Sequence, residues 1–184
     1  MRIIAGKLKG RKITLSKNLD LRPTTDRAKE SIFGKIEAHK EINGADVLDL
    51  FGGSGNLGLE AISRGAHHVD YIEKNPDAVK HIQNTAELFK VDDQVTVINM
   101  PVETFIQNPS RSYDLIFADP PYDIAFIESL VEEIIKKNWL KRNGWFILEH
   151  DKRHKLAEHP HCLFSKAYGR TIVSIFQADP VVKE

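Results

Sequence analysis

The stretch from Val47 to Glu73 limits what this chain can fold into more than any other. Val47-Leu48-Asp49-Leu50-Phe51 reads as a buried strand and runs directly into Gly52-Gly53-Ser54-Gly55-Asn56-Leu57-Gly58. Leu57, Leu59, Ala61 and Ile62 then supply the apolar side of a helix ending near Gly65, and Val69-Asp70-Tyr71-Ile72 reads as a second strand closing on Glu73. Such a unit suits a ligand that contains a nucleoside. Glycines let the backbone approach the ligand closely, the helix N-terminus offers N–H groups to a negative charge, and the terminal acid can accept two hydrogen bonds from a ribose diol.

Two such ligands compete. Gly53, Gly55 and Gly58 satisfy G-x-G-x-x-G, and Glu73 stands 20 positions after Gly53, the spacing expected for a dinucleotide. That pattern alone is weak. Asp49 tilts the choice, because a pyrophosphate-binding strand would normally stay apolar there. S-adenosylmethionine carries an ammonium group that Asp49 can hold, directly or through water, while the glycine turn holds its carboxylate. The bland alternative makes Asp49 a satisfied strand-end acid and the glycines an ordinary tight turn. Strand, turn, helix and second acid all fall in register, which favours the ligand.

Asp119-Pro120-Pro121-Tyr122 says what the first unit is for. It directly follows a fourth strand, Tyr113 to Ala118, so Asp119 arrives at the same sheet edge as Gly53 and Glu73. Prolines fix φ and cannot continue a ladder, so the carbonyls here are held pointing outward. The Asp119 carboxylate and the Pro120 carbonyl can hold the two N–H groups of an exocyclic amine and aim its lone pair at a methyl donor. Tyr122 offers a face on which a base can stack. In-line attack then needs mostly positioning. An ordinary proline turn is the bland reading.

Around these stretches the pattern is α/β. Ile3-Ile4-Ala5 and Lys12-Ile13-Thr14-Leu15 predict a hairpin with a cationic tip, followed by a loop at Arg22-Pro23-Thr24-Thr25-Asp26 and a helix using Ala28, Ile32, Phe33 and Ile36. The first turn of that helix is expected to offer Arg22, Arg27 and Lys29 to solvent or RNA. Pro76 opens a helix, Val95–Ile98 is a third strand, Val102–Gln107 a short helix, and Ile127–Ile135 a helix leading to Gly144 and strand Trp145–Leu148. Residues 163–168 and 171–176 flank Gly169-Arg170 as an antiparallel pair. Strands alternating with helices mean a mostly parallel sheet with an antiparallel C-terminal edge, whose ligands lie at the strand C-terminal ends.

At 184 residues, 41% hydrophobic, one domain with a full core is expected. No long apolar run or signal peptide is evident, so a cytoplasmic protein that neither spans a membrane nor is secreted is expected. The single cysteine, Cys162, fits a reducing compartment and a packing role. Residues 1–40 hold eleven Lys/Arg against four Asp/Glu, a net +7, although the whole chain is neutral. The division expected is a basic RNA-binding extension over residues 1–40 and a catalytic domain over 41–184, with Arg2, Lys7, Lys9, Arg11, Lys12, Arg22 and Arg27 meeting nucleic acid. A solvated basic face is the alternative. His150, His154, His159 and His161 lack a thiolate or carboxylate pattern to complete a metal site, so no metal is expected and they read as surface residues. His67 and His68 read as packing or capping groups.

The combination resembles the class I S-adenosylmethionine-dependent methyltransferases. Over nearly the whole chain it is similar to the bacterial RsmD family of 16S rRNA guanine-N2 methyltransferases. The likeness is carried by Arg2-Ile3-Ile4-Ala5-Gly6, Arg22-Pro23-Thr24-Thr25-Asp26-Arg27, Asp49 to Gly55, Gly58-Leu59-Glu60-Ala61, Ser63-Arg64-Gly65-Ala66, Asp119-Pro120-Pro121-Tyr122 and Tyr168-Gly169. The glycine and Asp-Pro-Pro-Tyr motifs specify only amino methylation, and the N-terminal arm points to this family. The resemblance implies a Rossmann-like class I methyltransferase fold with a small N-terminal β-hairpin extension. It implies catalytic residues Asp119, Pro120, Pro121 and Tyr122, cofactor contacts at Asp49, Phe51, Gly53, Ser54, Gly55, Glu73, Pro101 and Val102, and 16S rRNA in a partly assembled small subunit as substrate. A target guanine would leave its stack to reach Tyr122.

One departure stands out. Relatives usually place a polar residue, often Asp, where this chain has Pro101, so adenine recognition would rest on backbone groups near Val102 and on apolar packing. The rival functions are a nicotinamide-dependent oxidoreductase and a nucleic-acid-binding module without catalysis. Asp49 and the proline pair oppose the first, and two intact motifs oppose the second. Among methyltransferases, DNA-adenine and protein-glutamine enzymes remain alternatives.

Overall fold

The computed structural model describes residues 1–15, 26–121 and 124–178, so Arg22, the rest of its loop through Thr25, and Tyr122 lie outside the described residues. Seven strands form one sheet in the order β3-β2-β1-β4-β5-β7-β6. They are β1 (Asp46–Leu50), β2 (His68–Glu73), β3 (Val95–Asn99), β4 (Tyr113–Ala118), β5 (Leu140–His150), β6 (Cys162–Tyr168) and β7 (Thr171–Gln177). The first five run parallel, and β7 pairs antiparallel with both β5 and β6. Helices α1 (Asp26–Glu37), α2 (Asn56–Ser63), α3 (Pro76–Phe89), α4 (Val102–Phe105) and α5 (Ile127–Lys136) connect or cover them.

Alternation along each strand sorts the core into two layers. Val47, Val69, Tyr71, Leu115, Phe117, Trp145 and Ile147 point to one face, where Ile32, Phe33 and Ile36 of α1, the apolar side of α2, and Ile82, Ala86 and Phe89 of α3 cover them. Leu48, Leu50, Ile72, Ile116, Phe146 and Leu148 point to the other, against Leu130, Val131 and Ile134 of α5. Helix α3 begins as its sequence dictates: the Asn75 side chain accepts from the Asp77 N–H at 2.9 Å, and Pro76 between them opens the first turn. No helix among the described residues is long and apolar enough to cross a membrane.

Four expectations are corrected. The N-terminal hairpin closes through a single bridge, Arg2 to Lys12, instead of two ladder strands. Its backbone is used elsewhere: the N–H groups of Ile4 and Ala5 donate to Glu60 of α2 at 2.8 and 3.1 Å, and the Ser63 hydroxyl donates to Ala5 O. Lys29 does not face solvent. Its side chain is fully buried, with Nζ 3.0 Å from Glu60 Oε2, 2.6 Å from Arg2 O and 2.7 Å from Asn56 Oδ1. Strand β5 starts at Leu140, before Gly144, because a register shift between Tyr113 and Leu115 absorbs the irregular residues. His150 is buried at 2% exposure, where Ser174 Oγ at 2.8 Å and Asp151 O at 2.9 Å satisfy its ring nitrogens. Cys162 packs partly buried against the second core layer.

Candidate active site

The two chemical stretches lie on adjacent parallel strands. Asp49 pairs with Phe117 and Leu50 with Ala118, so the turn after β1 and the corner after β4 leave the sheet at the same edge, from strands about 4.8 Å apart. On the other side of β1, Leu50 pairs with Ile72, which sets Glu73 beside the glycine turn.

The turn is built tightly. Gly52 N–H donates to Ile72 O at 2.9 Å and Gly55 N–H to Gly52 O at 2.7 Å, while Gly55 sits at φ +74° as the residue before α2. Phe51, a non-glycine residue, is held at φ +64°, and its ring lies 6.4 Å from that of Phe126 just before α5. Strain of this kind persists only where the surroundings enforce it. Gly58 is required by a close approach: a Cβ there would stand 2.3 Å from the Tyr71 hydroxyl. Tyr71 in turn donates to Gly55 O at 3.0 Å, so the turn rests on the ring beneath it.

Asp49 is 3% exposed, and its Oδ2 accepts from the Gly58 N–H at 3.0 Å in the first turn of α2. Burial pushes its carboxyl well above the usual range, the Gly58 bond pulls the other way, and the Asp119 and Glu73 carboxylates add to the rise. Glu73 accepts from the Gly53 N–H at 2.8 Å and the Asn75 N–H at 2.8 Å, one on each oxygen. Each oxygen retains a second lone pair for a ligand hydroxyl. Ser54 lies half-buried at the turn and touches Met1, with Oγ 3.6 Å from Sδ. His81 of α3 bonds to the Ser54 backbone, and burial keeps its imidazole below the ordinary value.

Beyond Glu73, Asn99 Nδ2 donates to Glu73 O at 2.8 Å and to Lys74 O at 3.0 Å, tying the ends of β2 and β3 together. Pro101 is exposed at the start of α4, its carbonyl accepting from Thr104 and Phe105, and Val102 is buried at 3%. Pro101 and Val102 thus flank the acid that would take the ribose. At the other corner, Asp119 is half-buried, Pro120 buried and Pro121 exposed, with Pro121 O accepting from Ile124 N–H at 3.2 Å.

The residues present fit S-adenosylmethionine. Its sulfonium and ammonium charges would offset the negative charge that gathers around Asp49. Among the described residues, no group of three or more His, Cys, Asp or Glu is placed to hold a metal ion.

The basic arm docks on the back of α2. Arg2, Lys7, Lys9, Arg11, Lys12 and, on α1, Arg27 are all exposed. Arg2 Nε pairs with Asp26 at 3.0 Å, Lys7 Nζ donates to Gln94 Oε1 at 2.5 Å, and Arg11 donates to Leu88 O at 3.0 Å with its guanidinium 5.2 Å above the Phe89 ring. The tip is therefore pinned to α3 and the turn after it.

The roles of Tyr71, Phe126, Glu60 and Glu149 are not evident from local sequence pattern. Glu149 carried a signal: like Glu73 and Asp119, it is an acid at the C-terminal end of a strand.

The family described as conserved hypothetical protein 95 matches residues 1–177. The chain belongs to that family. It is 34% identical over 155 residues to ribosomal RNA small subunit methyltransferase D of Haemophilus influenzae, covering 83% of this chain and 79% of the relative. It is 36% identical over 145 residues to the protein of the same name from Escherichia coli K12, covering 79% and 69%. Among solved structures it superposes on "Putative methyltransferase yhhF" of Escherichia coli with a TM-score of 0.85 at 27% identity, covering 98% of this chain and 99% of that one. A hypothetical protein of Thermus thermophilus gives 0.83 at 25% identity, covering 96% and 99%. The fold is the Rossmann-like class I methyltransferase fold, and the family is one of RsmD-like S-adenosylmethionine-dependent methyltransferases.

Proposed function

We propose that this protein transfers a methyl group from S-adenosylmethionine to the exocyclic N2 of a guanine in 16S rRNA, within a small ribosomal subunit or its assembly intermediate in the cytoplasm. The observation that carries the reading is the adjacency of Asp49 on β1 to the Asp119 corner of β4 at one sheet edge. S-adenosylmethionine, when bound, supplies an electrophilic methyl group on sulfur.

The chain's own residues do the rest. Asp49, Phe51, Gly53, Ser54 and Gly55 bind the amino-acid end of the donor, Glu73 the ribose, and Pro101 with Val102 the adenine. The Asp119 carboxylate and Pro120 carbonyl accept the two N–H bonds of the target amine, which orients its lone pair. Pro121 fixes the corner, and Tyr122 stacks the base. After attack the amine bears an extra proton, which the Asp119 carboxylate accepts or passes to water. Residues 1–40 act as the RNA-binding extension, with Arg2, Lys7, Lys9, Arg11, Lys12, Arg22 and Arg27 meeting phosphates, and residues 41–184 as the catalytic domain. The two named relatives support rRNA as the substrate class.

Tritiated-methyl transfer to naked rRNA, small subunits and DNA, followed by nuclease mapping, tests this reading. The expected product is N2-methylguanine in 16S rRNA. Label in DNA adenine instead, or affinity for NAD in place of S-adenosylmethionine by calorimetry, would overturn it.

A further inference from the structure

Four neighbouring strands each carry an acid toward the same edge. Across β2-β1-β4-β5 these are Glu73, Asp49, Asp119 and Glu149. They share a face, because each stands two residues beyond Tyr71, Val47, Phe117 or Ile147, which all point into one core layer. Phe117 pairs with Ile147 and Ala118 with Leu148, so Glu149 follows the last pair on β5 as Asp119 follows it on β4. Glu149 is 6% exposed and fixed in a strand, paired in register with Val173 of β7.

The order of these acids gives direction to the site. The glycine turn and Glu73 commit the β1 and β2 side to the methyl donor. A base whose amine is held at Asp119 must then extend away from the donor, over the end of β5, where Glu149 stands.

We propose that Glu149 is a specificity-determining residue whose carboxylate accepts the N1–H of the target guanine while Asp119 and Pro120 hold the N2 amine. The inference rests on the guanine-N2 reading above. Guanine presents N1–H and its amine side by side on one edge, so acceptors on two adjacent strands can engage both. Adenine presents a bare N1 acceptor at the equivalent place. A carboxylate facing it meets lone pair with lone pair and loses its bond, and sites built to bond a substrate N–H reject analogues lacking it by on the order of 10²-fold or more.

The test uses full-length enzyme and small subunits reconstituted on 16S rRNA carrying either guanine or 2,6-diaminopurine at the methylated position. Diaminopurine keeps the reactive amine, replaces N1–H with a bare nitrogen and carries an amine in place of O6, a second change common to wild type and variant. Wild type is expected to favour guanine in kcat/KM by about 10²-fold or more. Glu149→Gln, whose amide can donate to the bare nitrogen, is expected to shift that preference by at least about 10-fold toward diaminopurine, with S-adenosylmethionine affinity unchanged. Glu149→Asp keeps an acceptor and should keep the guanine preference. An active enzyme with the same ratio in wild type and Glu149→Gln overturns the assignment, and so does a wild type that methylates both bases equally, whether or not the variant folds. A wild type that methylates no guanine amine overturns the underlying reading instead.

Discussion

Lys29 Nζ lies 3.0 Å from Glu60 Oε2, and both side chains are fully shielded from solvent. Glu60 fills its acceptor positions with Ile4 N–H, Ala5 N–H, Lys29 and Arg64, and Arg64 continues to Glu37 at 2.9 Å. One carboxylate thus joins the N-terminal arm, α1 and α2. Helix α2 starts at the glycine turn, so the arm and the turn share a single rigid support.

Breaking that pair by removing Lys29 is expected to cost about 3 kcal/mol, the low end for a buried pair, because Glu60 loses one buried partner but keeps Arg64 and the Ile4 and Ala5 N–H groups. Lys29→Met should lower the urea midpoint by a corresponding amount. Replacing both, as Lys29→Met with Glu60→Leu, should recover part of the loss, although the Ile4 and Ala5 N–H groups then lose their acceptor. A Lys29→Met protein as stable as wild type would contradict the burial of this pair.

Asp49 gives a pH dependence with a definite sign. Burial first, then Asp119 and Glu73, raise its folded-state pKa above the unfolded value. The native state therefore holds the proton more tightly, so this group favours folding most below about pH 4 and the benefit is lost as pH rises through the raised value. The Asp49→Asn apoprotein is expected to gain stability relative to wild type over that window, since Asn can still accept from Gly58 N–H. It should also bind S-adenosylmethionine about tenfold more weakly, having lost a charge. Thermal melts against pH, with and without the ligand, check both. Parallel pH curves for the two proteins would refute the assignment.

The alternation of strands and helices was legible because each element's periodicity is local: β4 at Tyr113–Ala118 needs only its own residues. The edge positions of Gly53, Glu73 and Asp119 were legible too, since parallel strands must end at one side. What local pattern hides is pairing at a distance. Lys29 looked like a solvent-facing charge in a first turn, and Glu60, 31 positions away, with Arg2 O and Asn56 Oδ1 makes its burial tolerable. His150 is buried for a similar reason, because Ser174 meets it from the neighbouring strand. The hairpin's short pairing reflects the same competition, with Glu60 and Ser63 taking the Ala5 N–H and carbonyl that a longer ladder would have used.

Gly58→Ala should disturb the turn through Tyr71. The added Cβ would fall 2.3 Å from the hydroxyl, forcing the ring away from Gly55 O. Overpacking of this kind typically costs about 1–3 kcal/mol. Melting temperature and calorimetric affinity for S-adenosylmethionine should therefore fall together. A variant that melts lower while keeping full affinity would show that the turn does not depend on this contact.

Charge reversal at the arm should separate RNA binding from donor binding. Lys9→Glu leaves the Lys7 and Arg11 contacts to Gln94 and Leu88 in place. It is expected to weaken rRNA binding and to reduce the slope of log affinity against log salt by about one, with donor affinity intact. Filter binding over a salt series measures the slope. An unchanged slope would mean that this lysine meets no phosphate.

The most direct measurement is methyl transfer to small-subunit rRNA by wild type and Asp119→Ala, with S-adenosylmethionine affinity determined for both. Transfer by the variant is expected to fall by about 10²-fold or more, as when an oriented acceptor is removed, while donor binding stays within a few-fold of wild type. Transfer at the wild-type rate by Asp119→Ala would contradict the claim that the β4 corner holds the reacting amine.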